Sequence, residues 1–414
     1  MAEFHFINND LYVESIPLAL LADQVGTPCY VYSRAALTQA YQAFAAGFDG
    51  HDSLICYAVK ANPNLAILNC FARLGSGFDI VSEGELRRVI AAGGDPQKTV
   101  FSGVGKSPQE IQFALQSGIL CFNVESTSEL LLIDEIAGAL GKIAPVSLRV
   151  NPDVDAQTHP YIATGLAKNK FGIAIEEAPR LYALASRLEN LVIKGVDCHI
   201  GSQLTELQPF ETAFEKILAL VDELTDSGID IAHIDVGGGI GISYANEPTI
   251  DPRQYASSLL TRLGPRIQKI IVEPGRTLVG NAGVLLTKVQ VLKFGTEKNF
   301  AVVDAGMNDL LRPALYDAFH QIVPIQQKDA PMYTFDVVGP VCESSDFLGR
   351  DRQLAISEGD LLAVLSAGAY GMSMSSTYNS RGRAAEIMVD GKRAYLIQRR
   401  ELSDELFSRE YILP

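Results

Sequence analysis

The chain has no surplus of positive charge: 34 Lys and Arg stand against 49 Asp and Glu, a formal net charge of −15 over 414 residues. That balance disfavours nucleic acid or an anionic membrane as the main partner, because both are held chiefly by clustered cations. An anionic small molecule stays admissible, since one pocket can be positive inside an acidic protein. Cysteine is sparse. Cys29, Cys56, Cys70, Cys121, Cys198 and Cys342 are scattered with no CxxC pair, which reads as a reduced compartment and leaves no zinc pattern, so no metal is expected. No apolar run reaches membrane-spanning length, and the opening MAEFHFINND lacks a basic start followed by an apolar stretch. There is no internal repeat and no low-complexity segment. The expectation is a cytoplasmic enzyme. Apolar residues make up 47% of the chain, enough to bury a large core in two domains or in one barrel with an extension.

From about residue 54 to 275, short apolar runs alternate with longer amphipathic ones. The short runs are 54–59, 78–82, 99–104, 121–126, 145–150, 193–200, 233–238 and 269–274, which makes eight candidate strands. Helical patterns lie between them at 64–74, 83–92, 108–117, 127–138, 176–190, 209–227 and 252–267. Ser82 with Glu85 predicts a capping box, and Ser107 places a cap before Pro108 at a first helical position. Eight such alternations predict a (β/α)8 TIM-like barrel over 26–275, with its last helix indistinct. Residues 276–414 instead carry short β-rich runs at 284–294, 300–306, 333–339, 360–367, 385–389 and 392–399. They predict a second, antiparallel β domain, which the strand-like FHFINNDLYVESIP within 1–25 is expected to join. The excursion 151–175 after the fifth strand is either a lid or binding loop or a purely structural insertion.

Barrel active sites form where strands end and helices begin. Lys60 follows the first strand in YAVKAN; it either reaches solvent or, if desolvated, becomes a nucleophilic amine able to form a Schiff base. Asp79 lies in the second strand, where a carboxylate must pair with a cation or face outward. His199 ends the sixth strand, placed to stack on a flat ring or to serve as a structural histidine, and Ser202 follows within reach of a phosphate. The run Gly237, Gly238, Gly239 after the seventh strand can cradle an anion or simply turn the chain. It is not the dinucleotide fingerprint, because the following helix and ribose-binding acid are missing from their places. Glu273, Gly275 and Arg276 close the eighth strand: Glu273 can hold a ring nitrogen protonated and Arg276 can meet a phosphate, or the two form a structural pair. Their convergence on one face suits an electron-sink cofactor held at phosphate, ring and aldehyde.

With YAVKAN, FDIVSEGE, THPYIATG, NKFG, HIGSQ, DVGGG, EPGR, GPVCESSD and the AYG segment at 369–371 on the page, the chain resembles, over essentially its whole length, the diaminopimelate decarboxylase family of the alanine-racemase-like pyridoxal-phosphate enzymes. Several of these segments are shared with ornithine and arginine decarboxylases; the combination of HIGSQ, THPYIATG and GPVCESSD is more particular. The resemblance implies fold type III, with pyridoxal 5′-phosphate on Lys60, His199 against its ring and Glu273 on the pyridine nitrogen. Asp79 then supports the lysine side, while Ser202, Gly238, Gly239, Gly275, Arg276 and Tyr370 surround the phosphate or the substrate end. Arg276, Arg312, Tyr316, Glu343 and Tyr370 are implied as substrate contacts. Cys342 is implied as a catalytic residue that enters, with Glu343, the site of a neighbouring subunit in a homodimer. The implied reaction is decarboxylation of meso-diaminopimelate to lysine. Alternatives are decarboxylation of another basic amino acid, a racemase, and a non-catalytic cofactor-binding protein.

The residues themselves support part of this. Arg312 and Tyr316 are four apart, so one helical turn lets both face a ligand, and Pro313 requires the helix to start beside it. Two surface residues at helical spacing look the same in sequence. Cys342 alone reads more simply as a buried thiol.

Overall fold

The computed structural model describes residues 3–154, 170–245 and 247–414. Of the 151–175 excursion, residues 155–169 lie outside the described residues, and with them THPYIATG and the first residue of NKFG. The chain forms two compact units, one of residues 40–242 with 248–277 and one of residues 1–39, 243–247 and 278–414.

The first unit is the barrel. Its strands are β1 (Ser53–Ala58), β2 (Gly77–Ile80), β3 (Thr99–Phe101), β4 (Cys121–Val124), β5 (Ala144–Asn151), β6 (Leu191–Asp197), β7 (His233–Asp235) and β8 (Lys269–Val272). Each pairs in parallel with the next, and β8 returns to β1 through Ile270 opposite Ser53, closing the ring. All eight expected strands are present. At the barrel floor Cys56, Val100, Cys121 and Ile271 pack together; burial pushes both thiols well above their ordinary range, so these cysteines act as small apolar fillers.

Most helices follow the expected spans; the one expected over 176–190 is a 3-10 turn at Ile175–Glu177 and a short helix, Ala178–Ala185. Ser107 and Glu110 exchange cap hydrogen bonds at the start of Pro108–Ser117, a complete capping box. At the Glu83–Ala91 helix the expected box is only half formed. Ser82 Oγ accepts from Glu85 N–H, but the Glu85 carboxylate passes the cap and takes the N–H of Val81 at 2.7 Å. The expected 252–267 helix stops at Leu263, where Gly264 turns with φ of 62° and Pro265 cannot continue. The indistinct last helix is the single turn Arg276–Val279.

The second unit is a predominantly antiparallel β structure. Gly283–Phe294 is its spine, paired with Cys29–Ser33, Asn299–Val303 and Leu361–Val364. Two pairs are parallel: Cys29–Ser33 with Ala385–Asp390, and Asn299–Val303 with Tyr333–Val338. The N-terminal stretch folds as a small antiparallel sheet, Phe4–Ile7, Asp10–Val13 and Ile16–Pro17. Its Leu11, Val13 and Ile16 pack into one core with Val284, Leu286, Ile387 and Val389. No helix among the described residues is long and apolar enough to cross a membrane.

Candidate active site

The ladder register decides where the first two candidate residues meet. Ala58, the last residue of β1, lies opposite Asp79 of β2, and the chain then leaves the ladder in the tight turn Val59–Ala61. Lys60 therefore departs at the C-terminal rim beside Asp79. Its Nζ donates to Asp79 Oδ2 at 2.6 Å; the aspartate side chain is wholly buried and the lysine side chain 37% exposed. The desolvation cost of Asp79 is met by this cation.

His199, two residues past β6, is fixed by the glycine run. The N–H of Gly238 donates to His199 Nδ1 at 3.2 Å, so that nitrogen is bare and a neutral ring carries its proton on Nε2. Burial, then the charges of Arg149 and Lys60, hold the imidazole well below its ordinary range. Glycine is required here on contact grounds. A Cβ on Gly238 would lie 2.1 Å from the carbonyl oxygen of Glu273, and one on Gly239, at φ of 120°, would lie 2.4 Å from that of Gly201. Beside this turn Arg276 donates to Ser202 Oγ at 3.1 Å, and Gly275 packs its backbone against Ala58 and Ala61 of the Lys60 turn. Lys60, Asp79, His199, Ser202, Gly238, Gly239, Glu273, Gly275 and Arg276 thus all stand at the C-terminal ends of barrel strands.

Around Glu273 lies a charge cluster whose other members the sequence reading did not assign a role. Register aligns Arg149 of β5 with Asp197 of β6, and Asp197 with Asp235 of β7. Carboxylate oxygens of Asp197, Asp235 and Glu273 come within 4.8 Å of one another, all three residues buried. Arg149 Nε is 3.9 Å from Asp197, and its Nη1 donates to Glu125 at 2.9 Å. Burial, then the neighbouring Asp235, Asp79 and Asp197 carboxylates, push Glu273 well above the usual carboxylate range against the pull of Lys60. Burial raises Asp235 to about 7, opposed by the N–H of Gly237. Asp197 is likewise raised, by burial first and then by Asp235. The three carboxyls therefore hold their protons more tightly than free carboxyls do. A signal was present in sequence: acids end β6 and β7 and follow β8.

In the β-rich unit, Arg312 and Tyr316 are the two ends of one short helix, Arg312–Tyr316, with Pro313 in its first turn as its chemistry requires. Cys342 and Glu343 are exposed; the N–H of Cys342 donates to Asn379 Oδ1 at 2.9 Å, and the hydroxyl of the adjacent Tyr378 donates to Glu343. Tyr370 takes a left-handed backbone, φ of 56°, in a segment where a Cβ on Gly371 would meet the hydroxyl of Tyr30 at 2.8 Å. The reading of Cys342 as a buried thiol does not hold.

The barrel residues fit pyridoxal phosphate. They offer an amine at a strand end, a neutral imidazole, an arginine with a serine hydroxyl beside a glycine turn, and a buried acid. Asp79 Oδ1 and Asp197 Oδ1 are buried without a hydrogen-bond donor among the described residues, as suits a site whose floor awaits positive charge. A barrel of this kind with a separate β unit is the arrangement of fold-type III enzymes of that cofactor.

Residues 34–280 match the family described as pyridoxal-dependent decarboxylase, pyridoxal binding domain. The diaminopimelate decarboxylase of Vibrio cholerae is 57% identical over 408 residues, covering 98% of each chain. The crystal structure of the Helicobacter pylori diaminopimelate decarboxylase complexed with L-lysine is 45% identical, with a TM-score of 0.92 over 94% of this chain and 98% of that one. That of the M. jannaschii enzyme in co-complex with L-lysine is 38% identical, with a TM-score of 0.95 over 99% and 98%. Fold, barrel-rim residues and these likenesses agree, and the chain belongs to the pyridoxal-dependent decarboxylases, within them to the diaminopimelate decarboxylase family.

Proposed function

We propose that this chain decarboxylates meso-2,6-diaminopimelate at its D-centre, releasing L-lysine and carbon dioxide in the last step of lysine biosynthesis. The observation that carries the reading is the Lys60–Asp79 pair standing on one barrel rim with Glu273, in a chain 57% identical to a diaminopimelate decarboxylase. Pyridoxal phosphate, when bound, supplies the electron sink for the pair of electrons that carbon dioxide leaves behind.

The chain supplies binding, orientation and proton control. Lys60 is the covalent attachment point, and Asp79 orients its amine. Ser202, Arg276 and the N–H of Gly239 hold the phosphate, with Gly238 and Gly275 allowing close approach. His199, neutral and with its proton on Nε2, covers the ring face. Glu273, backed by Asp235 and Asp197, faces the ring nitrogen and keeps a proton there. Arg276, Arg312, Tyr316, Glu343 and Tyr370 bind the substrate's charged ends; an analogue lacking the distal amino-acid end leaves such groups unpaired and is rejected by that penalty. Cys342, exposed on its own chain, completes the site of a second copy and handles a proton there, with Lys60 the competing donor. The active form on this reading is a homodimer with shared sites.

The test is a substrate panel. Holoenzyme incubated separately with meso-diaminopimelate, L-ornithine and L-arginine yields lysine and carbon dioxide from the first alone. Putrescine or agmatine as the main product replaces the substrate assignment, and no carbon dioxide from any of the three overturns the enzymatic reading.

A further inference from the structure

Arg312 and a histidine eight residues later form a pairing that only one protonation state allows. After the Arg312–Tyr316 helix the chain reverses at Asp317, with φ of 51°, and brings His320 back beneath the arginine. His320 is fully buried and Arg312 is 6% exposed. His320 Nδ1 lies 2.9 Å from the carbonyl oxygen of Leu365, a group that can only accept. Its Nε2 lies 2.9 Å from Arg312 Nη1, a group that can only donate. The imidazole is therefore the neutral form with its proton on Nδ1, since a second proton would set an N–H against a guanidinium N–H. Tyr244 completes the holder: its ring meets His320 edge-on at 5.1 Å and 77°, and the Arg312 guanidinium lies 4.7 Å over its face. The backbone of His320 is itself tied down, its carbonyl accepting from Arg352 at 3.1 Å.

A carboxylate at position 320 would also orient Arg312, but by an ion pair that spends its charge. A neutral imidazole orients the guanidinium without itself forming an ion pair with it. We propose that His320 is the positioning residue for Arg312, aiming its guanidinium at a carboxylate of the substrate. The proposal rests on the reading above that Arg312 contacts substrate.

Two substitutions of similar polarity separate this role from a merely structural one. His320→Gln keeps an amide oxygen long enough to accept from Arg312, whereas His320→Asn can still serve Leu365 but falls short of the guanidinium. Steady-state kinetics of the holoenzyme with meso-diaminopimelate should show KM raised about tenfold or more in His320→Asn, with kcat within about threefold of wild type, as loss of uniform binding requires. His320→Gln should recover KM to within about threefold. His320→Leu should resemble His320→Asn; should it not fold, the Asn and Gln pair decides. Equal KM in the two amide variants, or a loss confined to kcat, overturns the proposal. Arg312→Gln is the control for the underlying reading. If it leaves KM unchanged, that reading falls and the proposal with it; if it raises KM while His320→Asn does not, only the positioning role falls. Nitrogen-15 spectra of histidine-labelled protein should show a neutral ring protonated at Nδ1 whose signal disappears in His320→Gln, and a doubly protonated His320 at about pH 8 overturns the proposal independently.

Discussion

The ammonium of Lys60 lies 2.6 Å from Oδ2 of Asp79, an aspartate whose side chain has no solvent contact. One partner is sealed and the other opens outward, so the two do not contribute alike. Removing the lysine strands a buried anion, while removing the aspartate leaves an amine that can still hydrate.

That asymmetry predicts a stability cycle. In the apoenzyme Lys60→Met should cost about 2 kcal/mol, below the range for a fully buried pair because the lysine side chain is partly exposed. Adding Asp79→Asn should recover a good part of the loss. Urea denaturation of the two single variants and the double variant measures it; strictly additive losses would sink the idea.

Borohydride reduction of the holoenzyme should fix the cofactor on the peptide carrying Lys60, read by mass spectrometry. Lys60→Ala should lose the near-visible absorbance of the lysine–cofactor linkage and at least about a thousandfold in turnover. Recovery of the adduct on another lysine would reassign the attachment point.

The acid cluster predicts a pH signature. Burial lifts Asp235 from an ordinary 3.8 to about 7. The folded chain thus keeps a proton that the unfolded chain releases above about 4, so the stability it contributes is present in acid and lost as pH rises through 7. Replacing Asp235 with Asn removes this term. The stability of wild-type apoenzyme minus that of Asp235→Asn should fall by up to roughly 1 kcal/mol per pH unit across that window and level off above it. His199 and His233, both held low chiefly by burial, contribute the opposite slope in both proteins and cancel in the difference. Denaturant midpoints across the range decide; a flat or rising difference refutes the assignment.

Gly238→Ala should damage cofactor binding before it damages the fold, because its Cβ would lie 2.1 Å from the carbonyl oxygen of Glu273 at the barrel rim. Rearranging this turn also disturbs the N–H that Gly238 gives His199. Fluorescence titration of apoenzyme with pyridoxal phosphate should show affinity weakened at least about tenfold, near 1.4 kcal/mol. Unchanged affinity would mean that the turn does not cradle the phosphate.

The barrel was legible because each strand is a short apolar run and most helices carry their own start signal, Ser107 and Pro108 being the clearest. Rim residues such as Lys60 and Glu273 were legible because a polar side chain directly after an apolar run marks a strand end. What sequence could not display was sideways. Arg149 and Asp197 are 48 positions apart and become neighbours only through the β5–β6 register, which is shifted near Gly195. The strand Phe347–Leu354, FLGRDRQL, alternates too poorly and carries too much charge to be noticed. Cys29–Ser33 falls within the span expected for the barrel but belongs to the β-rich unit, and nothing local says that its partners are residues 283–286 and 385–389. His320 went unremarked because its value lies in the donor facing it, not in its place along the chain.

Closing β8 onto β1 has a consequence for self-association. The eight-stranded ring leaves no open row of amides and carbonyls at the β8–β1 seam, so a second chain finds nothing to extend there. Along the main path of the β-rich sheet the outer strands are Phe347–Leu354 and Arg393–Gln398. The first carries Arg350, Asp351 and Arg352, charges that discourage an incoming strand; the second exposes Tyr395 and Leu396. Under stress the last strand should therefore template aggregation more readily than the charged Phe347–Leu354 edge or the closed β8–β1 seam.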